Sequence, residues 1–252
     1  TYDAVVDDFP SNWGSDRTTA LPTFGVKFNA GDSVELGERR LGYLLALTYD
    51  RGQRHERGEA SQGQLVDGAL TIVETLERER FDDRVSWGAL GNVALEIAPG
   101  HDVRVVSLLN RAATHRLDHA SGLSDEAEAE IDRTMLQYVA RTLWFNQLIG
   151  RHRRLLPETS PWHEARVDWN ASASIASRAE PDTRDYATLD GRWDDNPGTS
   201  DHLQSDLEQR DFSGAVMFTL PLRDVFEARA GAEAATSARS FSSRRFHYQL
   251  IP

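Results

Sequence analysis

The stretch ARVDWNASASIASRAEPDTRDY, residues 165–186, decides how this chain is read. In steps of two from Ala165, seven of the eight odd positions through Ala179 are apolar, among them Val167, Trp169 and Ile175. Six of the seven even positions are polar: Arg166, Asp168, Asn170, Ser172, Ser174 and Arg178. Successive side chains of a strand point to opposite faces, so the spacing predicts a strand over Ala165–Ala179 with one apolar and one charged face. Ordinary strands run about 5 to 6 residues. A strand this long can cross a bilayer at a tilt, for which about 9 to 11 residues suffice.

The same alternation recurs along the chain. It predicts strands at Phe24–Asp32, Arg40–Asp50, Val85–Ile97, His101–Arg116, Thr134–His152, Asp211–Leu220 and Asp224–Thr236. The nine prolines are expected between these segments, since proline lacks the N–H a ladder needs. Two stretches also fit a helix. SDEAEAEIDRTMLQYVARTLWFNQLIG offers Ser124 as an N-cap and Ile131, Met135, Tyr138 and Val139 at helical spacing, and GALTIVETLERERF is similarly ambiguous. Strand is the favoured reading of both.

The connections alternate in length. Short SVELGER, APG and PLR, with the medium RRLLPETSPW, interleave with three long ones, of which the longest is EPDTRDYATLDGRWDDNPGTSDHLQSDLEQR. An outer-membrane barrel has this asymmetry, with tight turns at its periplasmic end and extended segments outside.

Composition narrows the function classes. A net charge of −12 argues against a nucleic-acid partner, whose phosphates call for a basic excess. The absence of cysteine removes disulfides, thiol catalysis and cysteine metal sites. No run reaches the roughly 18 to 20 apolar residues of a membrane helix, which leaves β-barrels open, because their strands show the lipid only every second residue. No basic-then-apolar leader follows Thr1, so a processed or excised chain is expected. The motifs of serine hydrolases, phosphate-binding loops and zinc proteases are absent, and adjacent acids such as Asp82 and Asp83 are ordinary in an acidic chain, so neither catalysis nor a cofactor is expected.

Five stretches together resemble the barrel portion of a TonB-dependent outer-membrane receptor of the proteobacterial type. They are FGVKFNAGDSVELGERRLGYLLALTYD, VSWGALGNVALEIAPGHDVRVVSLLNR, YVARTLWFNQLIGRHR, ASIASRAEPDTRDY and ARSFSSRRFHY, and the resemblance runs from about Leu21 to Tyr248. It implies an antiparallel up-and-down transmembrane β-barrel, of which this chain supplies a partial barrel of about 8–10 strands. It also implies uptake of a scarce ligand, often an iron chelate such as a siderophore. The implied partners are outer-membrane lipid, the remainder of the receptor (plug and other strands) and the TonB system. No plug and no TonB-contacting segment are recognised, and TYDAVV and RRFHYQL look like short strand fragments, so an internal slice of a larger receptor is expected. Two alternatives stay open: a soluble all-β binding or structural protein, and a complete ten-stranded outer-membrane barrel.

On the barrel reading Arg166, Asp168, Asn170 and Arg178 line the lumen; on the soluble reading they are merely the wet side of a sheet. Asp182, Arg184, Tyr186, Arg192 and Trp193 are candidate ligand contacts in an external loop, against the blander reading of a solvated loop. His115 and His119 have the spacing of a helical metal pair, but they lack a third ligand and are read as surface loop histidines. Arg151–Arg154 is read as a solvated basic turn.

Overall fold

The computed structural model describes residues 19–37, 39–66, 68–124, 128–160, 162–196, 198–223 and 226–248. These form one all-β antiparallel sheet of nine strands. The strands are β1 (Phe24–Leu36), β2 (Arg39–Val66), β3 (Ala69–Ala98), β4 (His101–Ser124), β5 (Ala129–Arg153), β6 (Arg166–Leu189), β7 (Arg192–Trp193), β8 (Asp201–Arg223) and β9 (Phe226–His247). Each long strand pairs with the next in sequence, in the order β1-β2-β3-β4-β5-β6-β8-β9, with the two-residue β7 against β6. The path starts at β1 and ends at β9, and among the described residues the sheet is not closed. The complete ten-stranded barrel is therefore not what these strands form. TYDAVV lies outside the described residues, while Arg244–His247 end β9 instead of forming a strand of their own.

All eight sequence-derived strands are present in order, Asp224 and Val225 of the last lying outside the described residues, and several are far longer than the alternation marks. β2 has 28 residues and β3 has 30, which at about 3.3 Å per residue makes β3 roughly 100 Å long. Both helix-compatible stretches are strand: residues 69–81 open β3 and 129–150 fill most of β5. Helical spacing loses there because each segment has a strand on both sides to satisfy its backbone groups. The three long connections are likewise mostly strand, continuing β2, β4 and β6 and opening β3, β5 and β8.

Two prolines depart from the expectation that none lies inside a strand. Pro181 sits within β6 where the register to β8 shifts between Glu180 and Thr183, and Pro221 sits within β8 where the register to β9 shifts between Pro221 and Arg223. The first bulge leaves Pro181 out of the ladder, so its missing N–H costs no hydrogen bond, whereas Pro221 keeps Glu227 as its ladder partner and Leu222 is the residue passed over. Asp190 and Gly191 turn the chain from β6 into β7 with φ of 49° and 72°, the left-handed pair of a tight hairpin.

The register sorts the two faces over most of the sheet, least on β5, where Leu143 and Phe145 lie opposite Trp144 and Leu148. One rung joins Phe28, Leu47, Ala89, Leu109, Trp144 and Ile175, and the next toward the short-turn end joins Ala30, Leu45, Gly91, Ser107, Asn146 and Ala173. On β8 and β9 the same face carries Phe212, Val216, Phe218, Ala230, Ala232 and Ala234. Apart from Ser107 and Asn146, these side chains form an apolar band over the half of the sheet nearest the short turns, and its larger members are bare: Phe28 is 51% exposed, Trp144 48%, Val105 47% and Val93 46%. Few apolar side chains are buried, because a single described sheet has no second layer to pack against.

Candidate functional site

Arg166, Asp168, Asn170 and Arg178 occupy the face opposite the apolar band, as their even spacing requires. Arg166 reaches Glu227 at 3.4 Å, and Asp168 stands across the ladder from Arg151. Arg178 belongs to a polar cluster at the β6 bulge. Its guanidinium lies 2.6 Å from Glu180, whose carboxylate also accepts hydrogen bonds from Gln137 at 2.6 Å, Thr183 at 2.7 Å and Ser205 at 3.2 Å. Burial raises the Glu180 pKa, but these donors outweigh it and hold the carboxyl below its ordinary value.

The five residues assigned to an external loop lie on strands instead. Asp182, Arg184 and Tyr186 are in β6, and Arg192 and Trp193 form β7. Beyond the bulge both β5 and β8 remain available to pair with β6, so the backbone continues its ladder although the apolar alternation has ended. The structure brings four of the five into two pairs. Arg184 grips Asp182 with two hydrogen bonds, Nε to Oδ1 at 2.7 Å and Nη2 to Oδ2 at 2.5 Å, and His202 closes on the same carboxylate at 3.2 Å. The Tyr248 hydroxyl stands 3.4 Å from Nδ1 of that imidazole. Tyr186 and Trp193 stack with centroids 5.9 Å apart and planes 4° from parallel. Arg192 is exposed on β7.

Sequence reasoning missed a belt of ion pairs on the polar face, above the level of the apolar band. Asp118 of β4 is 7% exposed and receives both Arg78 and Arg80 of β3, with contacts from 2.5 to 2.9 Å. Asp82 is bound by Arg116. Arg133 pairs with Asp185, and His247 with Asp201 at 3.0 Å. A signal was present: Arg78, Arg80 and Asp82 share one parity, as do Arg116 and Asp118, so each set projects from one face of its strand. The adjacent acids Asp82 and Asp83 therefore part company, Asp82 meeting Arg116 on the polar face and Asp83 meeting Arg51 at 3.1 Å on the other.

Arg116 lowers the Asp82 pKa below the usual carboxylate range. Burial raises that of Asp118, and its two arginines more than reverse the effect. The His202 pKa is lowered as well, here by burial, which in a base disfavours the charged form. These pairings satisfy the charges within the sheet, which makes the belt a rigid polar wall more than a reactive centre.

His115 and His119 lie on β4 and not in a loop. His119 faces Thr134 at 3.1 Å and Asp132 at 3.6 Å, and His115 stands between Asp83 and Tyr138 in the ladder. Among the described residues no three His, Asp or Glu side chains are placed to share a metal ion. Arg151, His152 and Arg153 end β5, with only Arg154 beyond it. Here His152 accepts from the Trp169 indole at 3.0 Å and meets His101 at 3.2 Å. Neither a scan against protein-family models nor a comparison with curated proteins finds a match for the chain.

Proposed function

We propose that this sheet is part of the wall of an outer-membrane β-barrel, with its apolar band against lipid and its polar face toward the lumen. The observation that supports it is the gathering of most of the exposed apolar side chains from eight consecutive long strands onto one face. In water such a face is a large uncovered apolar patch, and soluble monomers rarely carry one. From Val85 to Leu95 the band spans eleven residues of β3, about 36 Å along the strand, or roughly 25 Å in height at the tilt of barrel strands. That equals the apolar belt of outer-membrane barrels. The strand halves beyond the band then project from the external side and carry the ion-pair belt.

Within that frame the resemblance supplies the role: a receptor that takes up a ligand, such as an iron chelate, with energy from the TonB system, its polar wall facing a plug. Asp182, Arg184, Tyr186, Arg192 and Trp193 then sit on the external projection, on strands that hold them rigidly. The membrane part of the reading stands on the geometry of the faces, and the uptake part on the resemblance alone.

The chain has no cysteine, so single-cysteine variants give clean probes. Reconstituted in lipid vesicles, Val93→Cys and Val105→Cys should react with a lipid-soluble maleimide and resist a water-soluble one. Ser172→Cys should show the reverse. Equal labelling of Val93→Cys and Ser172→Cys by the water-soluble reagent would defeat the membrane reading. Uptake is tested separately, by ligand accumulation in cells that collapses with the proton-motive force.

A further inference from the structure

We propose that a shallow cleft at the upper rim of the apolar band holds the phosphate headgroup of a membrane lipid, with Arg111 as its principal ligand. The proposal rests on the membrane reading above. Three rungs of β3, β4 and β5 shape the cleft. The lower carries Trp87 and Arg111, the middle Val85, Ala113 and Ala140, and the upper Asp83, His115 and Tyr138. Small side chains between two rungs of large ones leave a hollow of about 350 Å³.

The charges around this hollow are unequal. Asp83 is engaged by Arg51 at 3.1 Å and Gln53 at 3.3 Å. Asp182 and Glu208, acids on the same face of β6 and β8, are taken by Arg184 and Arg210. Arg111 is exposed and has no ion pair among the described residues. A cation without its anion thus opens onto the cleft, with exposed His115 and the Tyr138 hydroxyl as further donors. Guanidinium binds phosphate oxygens through paired N–H groups.

The rung below Arg111 selects a lipid over a soluble anion. It consists of Ala89, Leu109 and Trp144, within the apolar band, where acyl chains lie if the band faces a bilayer. A headgroup in the cleft would have its tails on that rung and its glycerol beside Trp87, an amphipathic ring suited to the interface.

The test uses the full chain, released from vesicles of dioleoylphosphatidic acid and dioleoylphosphatidylcholine and analysed by native mass spectrometry. Wild type should retain phosphatidic acid in preference, and Arg111→Gln should lower that retention about fivefold. Ala113→Leu, which fills the hollow while keeping the cation, should lower it as well. Retention by Arg111→Gln equal to wild type would overturn the proposal. So would displacement of the bound lipid by excess inorganic phosphate, which would mark a soluble-anion site. Insertion into pure phosphatidylcholine vesicles separates the two readings. Variants that insert like wild type but lose phosphatidic acid support the site; a wild-type chain that inserts in no vesicle overturns the membrane reading and the site with it.

Discussion

Asp82 of β3 and Arg116 of β4 stand directly opposite each other and are joined by two parallel hydrogen bonds, Nε to Oδ1 at 2.7 Å and Nη2 to Oδ2 at 3.2 Å. The guanidinium holds the Asp82 carboxyl below its ordinary value, so the pair contributes stability at pH above the unfolded carboxylate pKa of about 4. That contribution disappears as pH falls through the depressed folded value. Asp82→Asn should cost about 2 kcal/mol at neutral pH. It should also flatten the acid limb of the profile, as read by thermal unfolding in detergent from pH 7 to pH 3. An acid limb identical to wild type would show that other carboxylates govern it.

Asp118 is the more demanding site, because one buried carboxylate serves two arginines. Asp118→Ala leaves Arg78 and Arg80 facing each other without an anion and should destabilise by about 2 to 4 kcal/mol, the partial exposure of both arginines moderating the cost. Replacing both arginines by methionine in the Asp118→Ala background should recover part of that loss. Denaturant titration of the single and combined variants measures the coupling.

The two histidines of β8 and β9 should titrate in opposite directions. Burial lowers the His202 pKa, so its contribution to stability is present above the unfolded value of about 6.5 and is lost as pH falls below it. Asp201, together with the Asp195 carbonyl, raises that of His247, whose contribution is present below the unfolded value and is lost as pH rises through the folded one. Imidazole resonances assigned through His202→Gln and His247→Gln should give midpoints on either side of the ordinary value. A shared midpoint would contradict both environments.

The legibility of this chain follows the band. Where one face is apolar, period two is written in residue type, and Ala165–Ala179 or Arg40–Asp50 can be read by eye. Above the band both faces are polar: Gln53–Gln64 continues β2 without sorted residues, and only the partner strand keeps it extended. The same loss of contrast moved Asp182, Arg184 and Tyr186 into an expected loop. The Glu180–Thr183 bulge added to this, because it absorbs Pro181 and shifts parity in a way composition does not mark. Ion pairs such as Arg80 with Asp118 need the register, which a single sequence does not state.

Face assignment yields a depth-resolved test at two adjacent residues. Val105 is in the apolar band, between Val93 and Leu148, whereas Val106 points the other way, between Asn92 and Gln147. In a bilayer Val105→Arg should cost about 1 to 2 kcal/mol, the penalty for arginine on the lipid face between the midplane and the interface. Val106→Arg should cost well under half as much, its charge meeting polar neighbours. Equal costs in vesicle unfolding experiments would mean that the two faces see the same medium.

Gly150 of β5 gives the most local prediction, because its partner Trp169 lies across it. A Cβ at Gly150 would come within 2.2 Å of the indole Cε2 and Nε1 atoms, less than any non-bonded contact allows. The ring is also tied down, since its N–H donates to His152 Nε2 at 3.0 Å. An indole nitrogen can only donate, so His152 carries its own proton on Nδ1 and offers it to His101 at 3.2 Å. Gly150→Ala must push the ring aside and break this chain at its first link. It should destabilise by about 1 to 3 kcal/mol, as overpacking does elsewhere. The same change in a Trp169→Ala background should cost little, because nothing then occupies the space above the glycine. A double-mutant cycle by thermal unfolding reads the difference. Equal costs in the two backgrounds would place the Trp169 ring somewhere other than over Gly150.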